Sequence, residues 1–445
     1  FKQKTAYEIG VRLVGSEMCI RDSVTTDWPR GWRAAPLWSL FERVKDTDHP
    51  TEQMLSVYRD FGVVPKEGRS DNLNKTAENR SIYQLVHPGW LVVNRMKAFQ
   101  GSVGISEHRG IVSGHYLCFR PRHEEDPNFL NLLLRSAPYI HEYRRMSRGV
   151  RPNQVEIDND ELRVLPLYLP PLSVQRDIAA MIGRETAKID ALIAKQDALV
   201  AALRDRRESA VMAAVTGGAY AAPKRDSGVR WIGEVPQHWQ VGNIRRYAAM
   251  HSGHTPSRQV PEYWEDCTVP WFTLADVWQL RDDTRTHIGE TSEKISELGL
   301  RNSSAELLPV GTVALSRTAS VGFSGIMPVP MATSQDFWNW ICGPELLPEF
   351  LLRVFRAMRR EMRSLMAGST HQTIYKTDAA SFVIPVPPLD EQQTIVDHLD
   401  EELRRMDGLV DRATALVEVL QERRAALITA AVTGKLDVTT YGKAG

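Results

Sequence analysis

Two stretches of the chain match each other and decide its architecture. Residues 170–217 read PPLSVQRDIAAMIGRETAKIDALIAKQDALVAALRDRRESAVMAAVTG, and residues 387–434 read PPLDEQQTIVDHLDEELRRMDGLVDRATALVEVLQERRAALITAAVTG. They align without a gap at an offset of 217, with 19 identities in 48 positions, which indicates an internal duplication. Two prolines open each copy, Ser173 or Asp390 follows as the expected N-cap, and a glycine closes it. Each copy therefore predicts a helix of about 60 Å.

Apolar residues recur every seven positions in both copies, which is the pattern of a coiled-coil seam. The predicted seam residues are Ile182, Ile189, Leu192, Leu199, Leu203, Leu399, Met406, Leu409, Leu416 and Leu420. Antiparallel pairing brings Glu185 opposite Arg423. It also brings Glu402 opposite Arg206, whereas parallel pairing sets Glu against Glu. We predict an intramolecular antiparallel coiled coil, with solvated rim charges of little energetic weight as the alternative interpretation of these four residues.

The segments between and before the helices repeat each other more weakly. Pro29-Arg-Gly-Trp32 matches Pro236-Gln-His-Trp239, and GWLVVNR at 89–95 matches GTVALSR at 311–317. Ser113-Gly-His-Tyr116 likewise matches Ser334-Gln-Asp-Phe337. Short apolar runs, including 111–119, predict strands, while 130–148 and 350–366 predict helices. The predicted fold class is α+β, with two similar mixed α/β domains separated by two long helices that form the coiled coil.

The predicted domain boundaries follow from these repeats. They are a first domain at 24–169, a central helix at 170–218, a second domain at 219–386, a C-terminal helix at 387–437 and a tail at 438–445. Residues 1–23 resemble a translated sequencing-adapter scar, so we exclude them from the fold as a non-native segment.

Composition narrows the class of protein. Apolar residues make up 42% and charged residues 25%, which excludes global disorder. No apolar run reaches the about 18 residues of a membrane span, and four scattered cysteines favour a reducing, cytoplasmic compartment. The sequence contains no zinc-ligand spacing, nucleotide-binding loop or hydrolase motif. We therefore predict no metal ligand and no catalytic residue, and the chain is expected to bind rather than to catalyse.

Positive charge is concentrated locally, although the 55 Lys and Arg residues balance 55 Asp and Glu. The C-terminal helix segment 387–437 carries eleven acidic against six basic residues, which masks arginine clusters at 142–153 and 353–363. Arg353, Arg356, Arg360 and Arg363 are spaced to share one helix face. Each cluster runs into a loop with Gly and Gln, and Arg, Asn and Gln are side chains that contact phosphates and base edges.

The candidate DNA-binding residues lie in both domains. They are Arg95, Lys97, Gln100, Arg144, Arg145, Arg148, Arg151, Asn153, Gln154, Arg317, Gln335, Arg353, Arg356, Arg360, Arg363, His371, Gln372 and Lys376. A solvated charge run is the alternative for each cluster. We expect the loops at 149–154 and 369–376 to influence which sequence is read.

The doubled PPL-x-x-Q, the long heptad helix and the terminal AAVTG, each after an α/β domain, resemble the specificity subunit of type I restriction–modification systems. The stretch from Trp231 to Trp239, WIGEVPQHW, is also similar to that family. The resemblance implies two recognition domains that each read one half of a split site in double-stranded DNA. It implies that the helices act as a spacer and bind modification subunits, two in number, in a complex with restriction and translocase subunits. S-adenosylmethionine, ATP and magnesium are then expected in those partners, with no cofactor in this chain.

Two other functions remain open at this point. A coiled-coil scaffold with two domains that do not bind DNA would show no steep loss of DNA affinity with salt. A self-contained methyltransferase or nuclease would need catalytic motifs, which the sequence does not contain.

Overall fold

The computed structural model describes residues 28–59, 61–66, 80–149, 155–218, 220–365 and 373–438. The predicted non-native segment 1–23 lies outside these residues. Contacts divide the chain into two compact units, unit 1 with residues 1–195 and 416–445 and unit 2 with residues 196–415. The sequence-derived domain boundaries stay a prediction, because each unit combines one globular domain with parts of both long helices.

Unit 1 contains a mixed α/β domain. Its strands are β1 (Arg33–Pro36), β2 (Phe41–Val44), β3 (Leu55–Tyr58), β4 (Gly62–Pro65), β5 (Gln84–Val86), β6 (Leu91–Asn94), β7 (Val103–Ile105), β8 (Gly110–Val112), β9 (Tyr116–Pro121), β10 (Ser147–Arg148), β11 (Glu156–Ile157) and β12 (Pro166–Leu169). Its short helices are α1 (Leu37–Leu40), the 3-10 helix Ala98–Gln100, α2 (Pro127–Leu134), α3 (Ala137–Met146) and α4 (Asn159–Val164). The main sheet has the order β2–β9–β6–β7 and is antiparallel throughout.

The helix α5 (Leu172–Val215) follows, and unit 2 contains the second domain. Its strands are β13 (Lys224–Asp226), β14 (Glu234–Pro236), β15 (Gln240–Asn243), β16 (Ala248–Ser252), β17 (Val269–Phe272), β18 (Glu293–Ile295), β19 (Val313–Ser316), β20 (Ser324–Ile326), β21 (Ala332–Thr333), β22 (Phe337–Cys342) and β23 (Val383–Val386). Its helices are the 3-10 helices Ile244–Arg246, Pro261–Trp264 and Leu274–Leu280 with α6 (Glu297–Arg301), α7 (Pro348–Ala357), α8 (Arg359–Ser364) and α9 (Lys376–Ala380). The helix α10 (Leu389–Val432) ends the fold.

The two domains share one sheet topology, as their sequence repeat predicts. The order β16–β22–β19–β20 in unit 2 reproduces β2–β9–β6–β7 in unit 1, and the pair β15–β23 corresponds to β1–β12. Three predicted elements differ in detail. The run 111–119 forms two strands, β8 and β9, and the predicted helices 130–148 and 350–366 are each broken in two. Pro138 in the first turn of α3 fits the start of a new helix but not a helix interior.

Both long helices begin one residue before the predicted N-caps. Ser173 and Asp390 are the second residues of α5 and α10, so the N-cap prediction is wrong. Each helix starts directly after the paired prolines, because proline has no N–H to leave unsatisfied at a helix start. None of the described helices is both long and apolar enough to cross a membrane.

A buried glutamine fixes the first turn of each long helix. Gln392 is fully buried, its Oε1 accepts from Leu347 N at 2.8 Å, and its Nε2 donates to the carbonyls of Glu345 and Pro387 at 2.8 Å. Gln175 occupies the matching place in unit 1, where its Oε1 accepts from Asp126 N at 3.0 Å and its Nε2 donates to Pro170 O at 2.8 Å and to the Glu125 carboxylate. Both partner amides precede a helix of the domain, α2 or α7, so the glutamine joins the two helix starts. This explains why PPL-x-x-Q occurs twice.

The far end of each helix closes against an aromatic turn. Gly217 has φ +73°, and a Cβ there would lie 2.3 Å from Pro236 and 3.2 Å from Trp239. Gly434 has φ +69° and would place a Cβ 2.2 Å from Pro29 and 3.1 Å from the Trp32 side chain. Only glycine fits both the left-handed conformation and the close approach. The repeated Pro-x-x-Trp motif is therefore the surface against which the end of a long helix packs.

The helices pair antiparallel within each unit, as predicted. In unit 1, Asp190 and Arg424 form an ion pair at 2.9 Å. In unit 2, Arg206 lies 3.7 Å from Glu402, which is one of the two predicted pairs. The other predicted pair does not form between the described helices, because Glu185 instead pairs with Lys188 one turn along its own helix.

The seam prediction is correct for one column of residues and wrong for the other. Ile182, Ile189, Leu399, Met406 and Leu420 are buried, and Leu203 is half-buried. Leu192, Leu199, Leu409 and Leu416 are 43–46% exposed. The seam is completed instead by the heptad column one position after these leucines. Thr186 and Leu403 belong to that column and are 8% and 4% exposed. A two-helix interface is too narrow to bury both columns, so one apolar column faces outward.

Gly217→Ala should destabilise the chain more than a left-handed glycine in open space does. Gly228→Ala is the matched control, because Gly228 has φ +71° and a Cβ there would meet no atom within 4 Å. We expect about 1–2 kcal/mol from backbone strain at Gly228 and a larger loss at Gly217 from the added overlap with Pro236. Urea unfolding of both variants measures the difference, and equal losses would contradict the packing role of Gly217.

Candidate nucleic-acid interface

Three chain segments meet at the same edge of the main sheet in both domains. In unit 1, Arg95 follows β6, its N–H donates to His115 O at 3.1 Å, and its carbonyl accepts from Ile157 N at 3.0 Å. In unit 2, Arg317 follows β19 and makes the same two bonds, with Asp336 O at 2.9 Å and Ile374 N at 2.9 Å. The repeat thus places a strand end, a hairpin tip and a returning segment side by side in each domain.

Five predicted contact residues lie outside the described part of the chain: Arg151, Asn153, Gln154, His371 and Gln372. The described chain resumes just before Ile157 in unit 1 and Ile374 in unit 2.

The unit 1 edge groups four predicted residues. Arg95 pairs with Glu156 at 2.5 Å. Lys97 and Gln100 are exposed at either end of the 3-10 helix Ala98–Gln100. Arg144 on α3 donates from Nε to Phe99 O at 3.0 Å, so it joins the basic helix to this turn. These side chains form one polar, basic surface.

The other arginines after α3 have acidic neighbours. Arg145 pairs with Glu142 at 2.9 Å, and the Glu142 side chain is almost fully buried. Arg148 pairs with Glu161 while its own side chain stays 72% exposed. An exposed ion pair such as Arg148–Glu161 contributes little free energy to folding.

The structure corrects the prediction for Arg353 and Arg356. Both are buried rather than on an exposed helix face, and the helix they were predicted to share ends at Ala357. Arg353 pairs with Asp400, and Arg356 donates from Nη1 to Asp283 O at 2.7 Å. Burial lowers the pKa of Arg356 to about 9, which leaves it protonated at neutral pH. These residues stabilise unit 2 and are not available for DNA in this structure.

Arg356 belongs to a larger cluster, which we call the arginine lock: Arg207, Arg356 and Arg359 around Asp283. Arg359 binds the Asp283 carboxylate through two bonds of 2.7 and 2.8 Å, and Arg207 donates to the Asp282 and Asp283 carbonyls at 2.7 Å. Burial acts to raise the pKa of Asp283, but the arginine bonds and charges outweigh it and the pKa lies below its usual value. Sequence reasoning missed Asp283 because its partners are distant in the chain.

Three further predicted basic residues of unit 2 are exposed. Arg360 is 86% exposed and lies 3.1 Å from Glu208, and Arg363 and Lys376 are exposed as well. Among the described residues, no three His, Cys, Asp or Glu side chains lie close enough to hold a metal ion.

The unit 2 hairpin tip carries the last predicted contact, Gln335. Its side chain is exposed, and its Oε1 accepts from the Thr255 hydroxyl at 2.6 Å. Arg317 donates from Nε to the Gln335 carbonyl at 2.7 Å and lies 4.3 Å from the centre of the Trp338 ring. Trp338 is itself buried and belongs to the core, so the arginine is held between ring and hairpin.

The chain is similar to specificity subunits of type I restriction enzymes. The family model "Type I restriction modification DNA specificity domain" matches residues 236–407. The chain is 28% identical over 193 residues to the type I restriction enzyme MjaIX specificity subunit of Methanocaldococcus jannaschii, which covers 43% of each protein. It is 27% identical over 198 residues to the EcoR124I/EcoR124II specificity subunit of Escherichia coli, which covers 43% of this chain and 46% of that one. These two alignments thus span less than half the length of either relative.

Two solved structures have the same fold. A chain from a structural study of the complex assembly and conformational transition of the type I R-M system superposes with a TM-score of 0.65 at 18% identity, covering 92% of this chain and 100% of that chain. The HsdS subunit of Thermoanaerobacter tengcongensis superposes with a TM-score of 0.52 at 19% identity, covering 93% and 99%.

Replacing Arg356 should test the structural role of the arginine lock. Arg356→Met leaves the Asp283 and Arg285 carbonyls without their buried donor, and we expect a loss of about 2–4 kcal/mol in the free energy of unfolding. Arg363→Met, at an exposed position nearby, should change it by no more than about 0.5 kcal/mol. Equal stability of the two variants in urea unfolding would refute the conclusion that Arg356 is a buried residue that stabilises unit 2.

Proposed function

Because this chain belongs to the family of specificity subunits of type I restriction–modification systems, we propose that it reads a two-part DNA target with one domain for each half. The observation that carries the proposal is the repeated edge, in which Arg95 and Arg317 make equivalent backbone hydrogen bonds to a hairpin tip and to a returning segment. Arginine, glutamine and asparagine at such an edge provide the donors that contact phosphates and base edges. A matched pair of edges in one chain suits a target with two halves.

The charge distribution supports this function despite the balanced total. Arg144 and Arg148 in unit 1, and Arg360 and Arg363 in unit 2, are exposed, and each pair comes shortly before the returning segment of its edge in the chain. The acidic helix α10 disfavours DNA along the coil. Binding therefore depends on two small basic surfaces rather than on the charge of the whole chain.

We propose that the chemistry belongs to partner subunits. Methyl transfer and DNA cleavage would then use S-adenosylmethionine, ATP and magnesium bound there, while this chain selects the site. Since its proposed target is DNA, we expect the chain to act in the cytoplasm. A scaffold without DNA recognition is the competing function, and no described contact favours it.

The outward leucines provide a surface for a modification subunit. Unit 1 exposes Leu192 and Leu416, and unit 2 exposes Leu199 and Leu409. In unit 2, Leu199 lies seven residues before Arg206, and Leu409 lies seven residues after Glu402, so each leucine shares a heptad column with one of these charged residues. Arg206 and Glu402 face each other across the helix pair. An apolar column beside an antiparallel pair is the surface on which further helices pack. The repetition in both units suits two copies of one partner.

DNA binding by the full chain should depend on Arg148 and Arg360. Each change to alanine removes an exposed cation, so affinity for a duplex of any sequence should fall and the slope of log affinity against log salt should decrease by about 1. Arg404→Ala, which removes an exposed arginine on α10, should leave both quantities unchanged. Binding titrations between about 50 and 200 mM salt measure this. A wild-type affinity that does not change with salt would favour the scaffold instead.

Assembly with the methyltransferase subunit should depend on Leu199 and Leu409. Burying a leucine contributes about 1.5–3 kcal/mol, so each change to glutamine should weaken the complex about tenfold or more. The control is Leu298→Gln, an equally exposed leucine on α6. Calorimetric titration gives the affinities, and thermal unfolding should show that all three variants keep the stability of the chain. Affinities that match the control would exclude this surface as the docking site.

A further inference from the structure

The hairpin tip of the second domain differs from that of the first. Gln335 stands between β21 and β22, whereas Gly114 occupies the matching position in unit 1. The first domain therefore offers no side chain at a place where the second offers an exposed amide.

The loop that holds the Gln335 amide is tightly fixed. A Cβ on Gly253 would lie 2.2 Å from Ser334 O, so the two backbones touch. His254 N also donates to Thr333 O at 3.0 Å. Thr255 follows in this anchored segment, and its hydroxyl donates to Gln335 Oε1 at 2.6 Å. Backbone packing therefore holds the segment that carries Thr255 beside the hairpin tip, within hydrogen-bond reach of the Gln335 amide.

The Arg317 side chain also holds Gln335, through the backbone carbonyl of Gln335. Its Nε donates to the Gln335 carbonyl at 2.7 Å, and its guanidinium lies over the Trp338 ring. In unit 1 the matching Arg95 is neutralised by Glu156, but Thr373 takes the place of that glutamate in unit 2. Among the described residues, the two Nη groups of Arg317 have no hydrogen-bond partner.

These contacts leave one part of the amide free. With Oε1 occupied by the threonine hydroxyl, the Nε2 group of Gln335 has no partner among the described residues and presents two N–H donors. The acceptors at the major-groove edge of DNA are N7 of purines, O6 of guanine and O4 of thymine. An amide held in this orientation distinguishes those edges from the donor edge of cytosine.

We propose that Gln335 reads one base of the half-site bound by the second domain by donating from Nε2, and that Thr255 is its positioning residue. The inference rests on the proposed function. It adds which residue contacts the base and that this residue is the hydrogen-bond donor. It also implies that the two half-sites are read differently, because the first domain has glycine at this point.

The test expresses the full chain with its methyltransferase subunit and maps methylated adenines across a bacterial genome. Gln335→Gly should make one position of one half-site degenerate, with discrimination there reduced about 5- to 100-fold, the range for a specific base contact. Gln335→Glu replaces donors by acceptors and should shift that position towards cytosine or adenine. The other half-site should not change in either variant.

Thr255→Val removes the hydroxyl at nearly constant volume and should relax the same position partly, while Thr255→Ser should restore the wild-type motif. If Thr255→Val matches wild type, the positioning role is wrong. If Gln335→Gly and Gln335→Glu both keep the motif, or if every variant loses methylation of whole sites equally, the base contact is wrong. If the wild-type chain gives no sequence-specific methylation and no DNA binding, the proposed function itself fails.

Discussion

The antiparallel pairing of α5 and α10 is the constraint on which both domains depend. Each hydrophobic core contains the beginning of one long helix and the end of the other. Ile178 and Ile182 share the unit 1 core with Ala431 and Val432, and Val211 and Val215 share the unit 2 core with Ile395. Reversing one helix would remove half of the helical residues from each core. The buried glutamines and the glycine ends then fix the position of the helices along their axes.

The sequence predicted most of this architecture because its signals are local or repeated. Paired prolines, terminal glycines and a 217-residue offset are visible without any tertiary contact. The choice of heptad column was wrong because leucine and β-branched residues flank the seam on both sides, and their frequency does not show which side is covered. Burial at Leu403 and exposure at Leu409 depend on how the second helix lies, which one helix cannot reveal.

The candidate interface was predictable only in outline. Arg356 and Arg360 are only four residues apart in the chain, yet Arg360 is exposed on α8 while Arg356, on α7, is buried against Asp283. The partner that decides this is 73 residues away in the chain. Clusters of arginine therefore mix two roles, and only the tertiary contacts separate cations that stabilise the domain from cations that face solvent. Gln335 shows the opposite case, in which a residue outside any sequence cluster gains significance from the loop packed beside it.

The packing of Gly434 against Pro29 and Trp32 has a consequence for synthesis on the ribosome. Leu427, Ile428 and Leu436 pack against the core of the first domain, although they are made after both domains. The nascent first domain, which ends near residue 169, must therefore remain with part of its apolar core exposed while about 260 further residues emerge. The second domain is complete as soon as residue 415 has left the exit tunnel. The part of the chain that is made first is thus completed last, and it is the part that depends most on protection from aggregation before release.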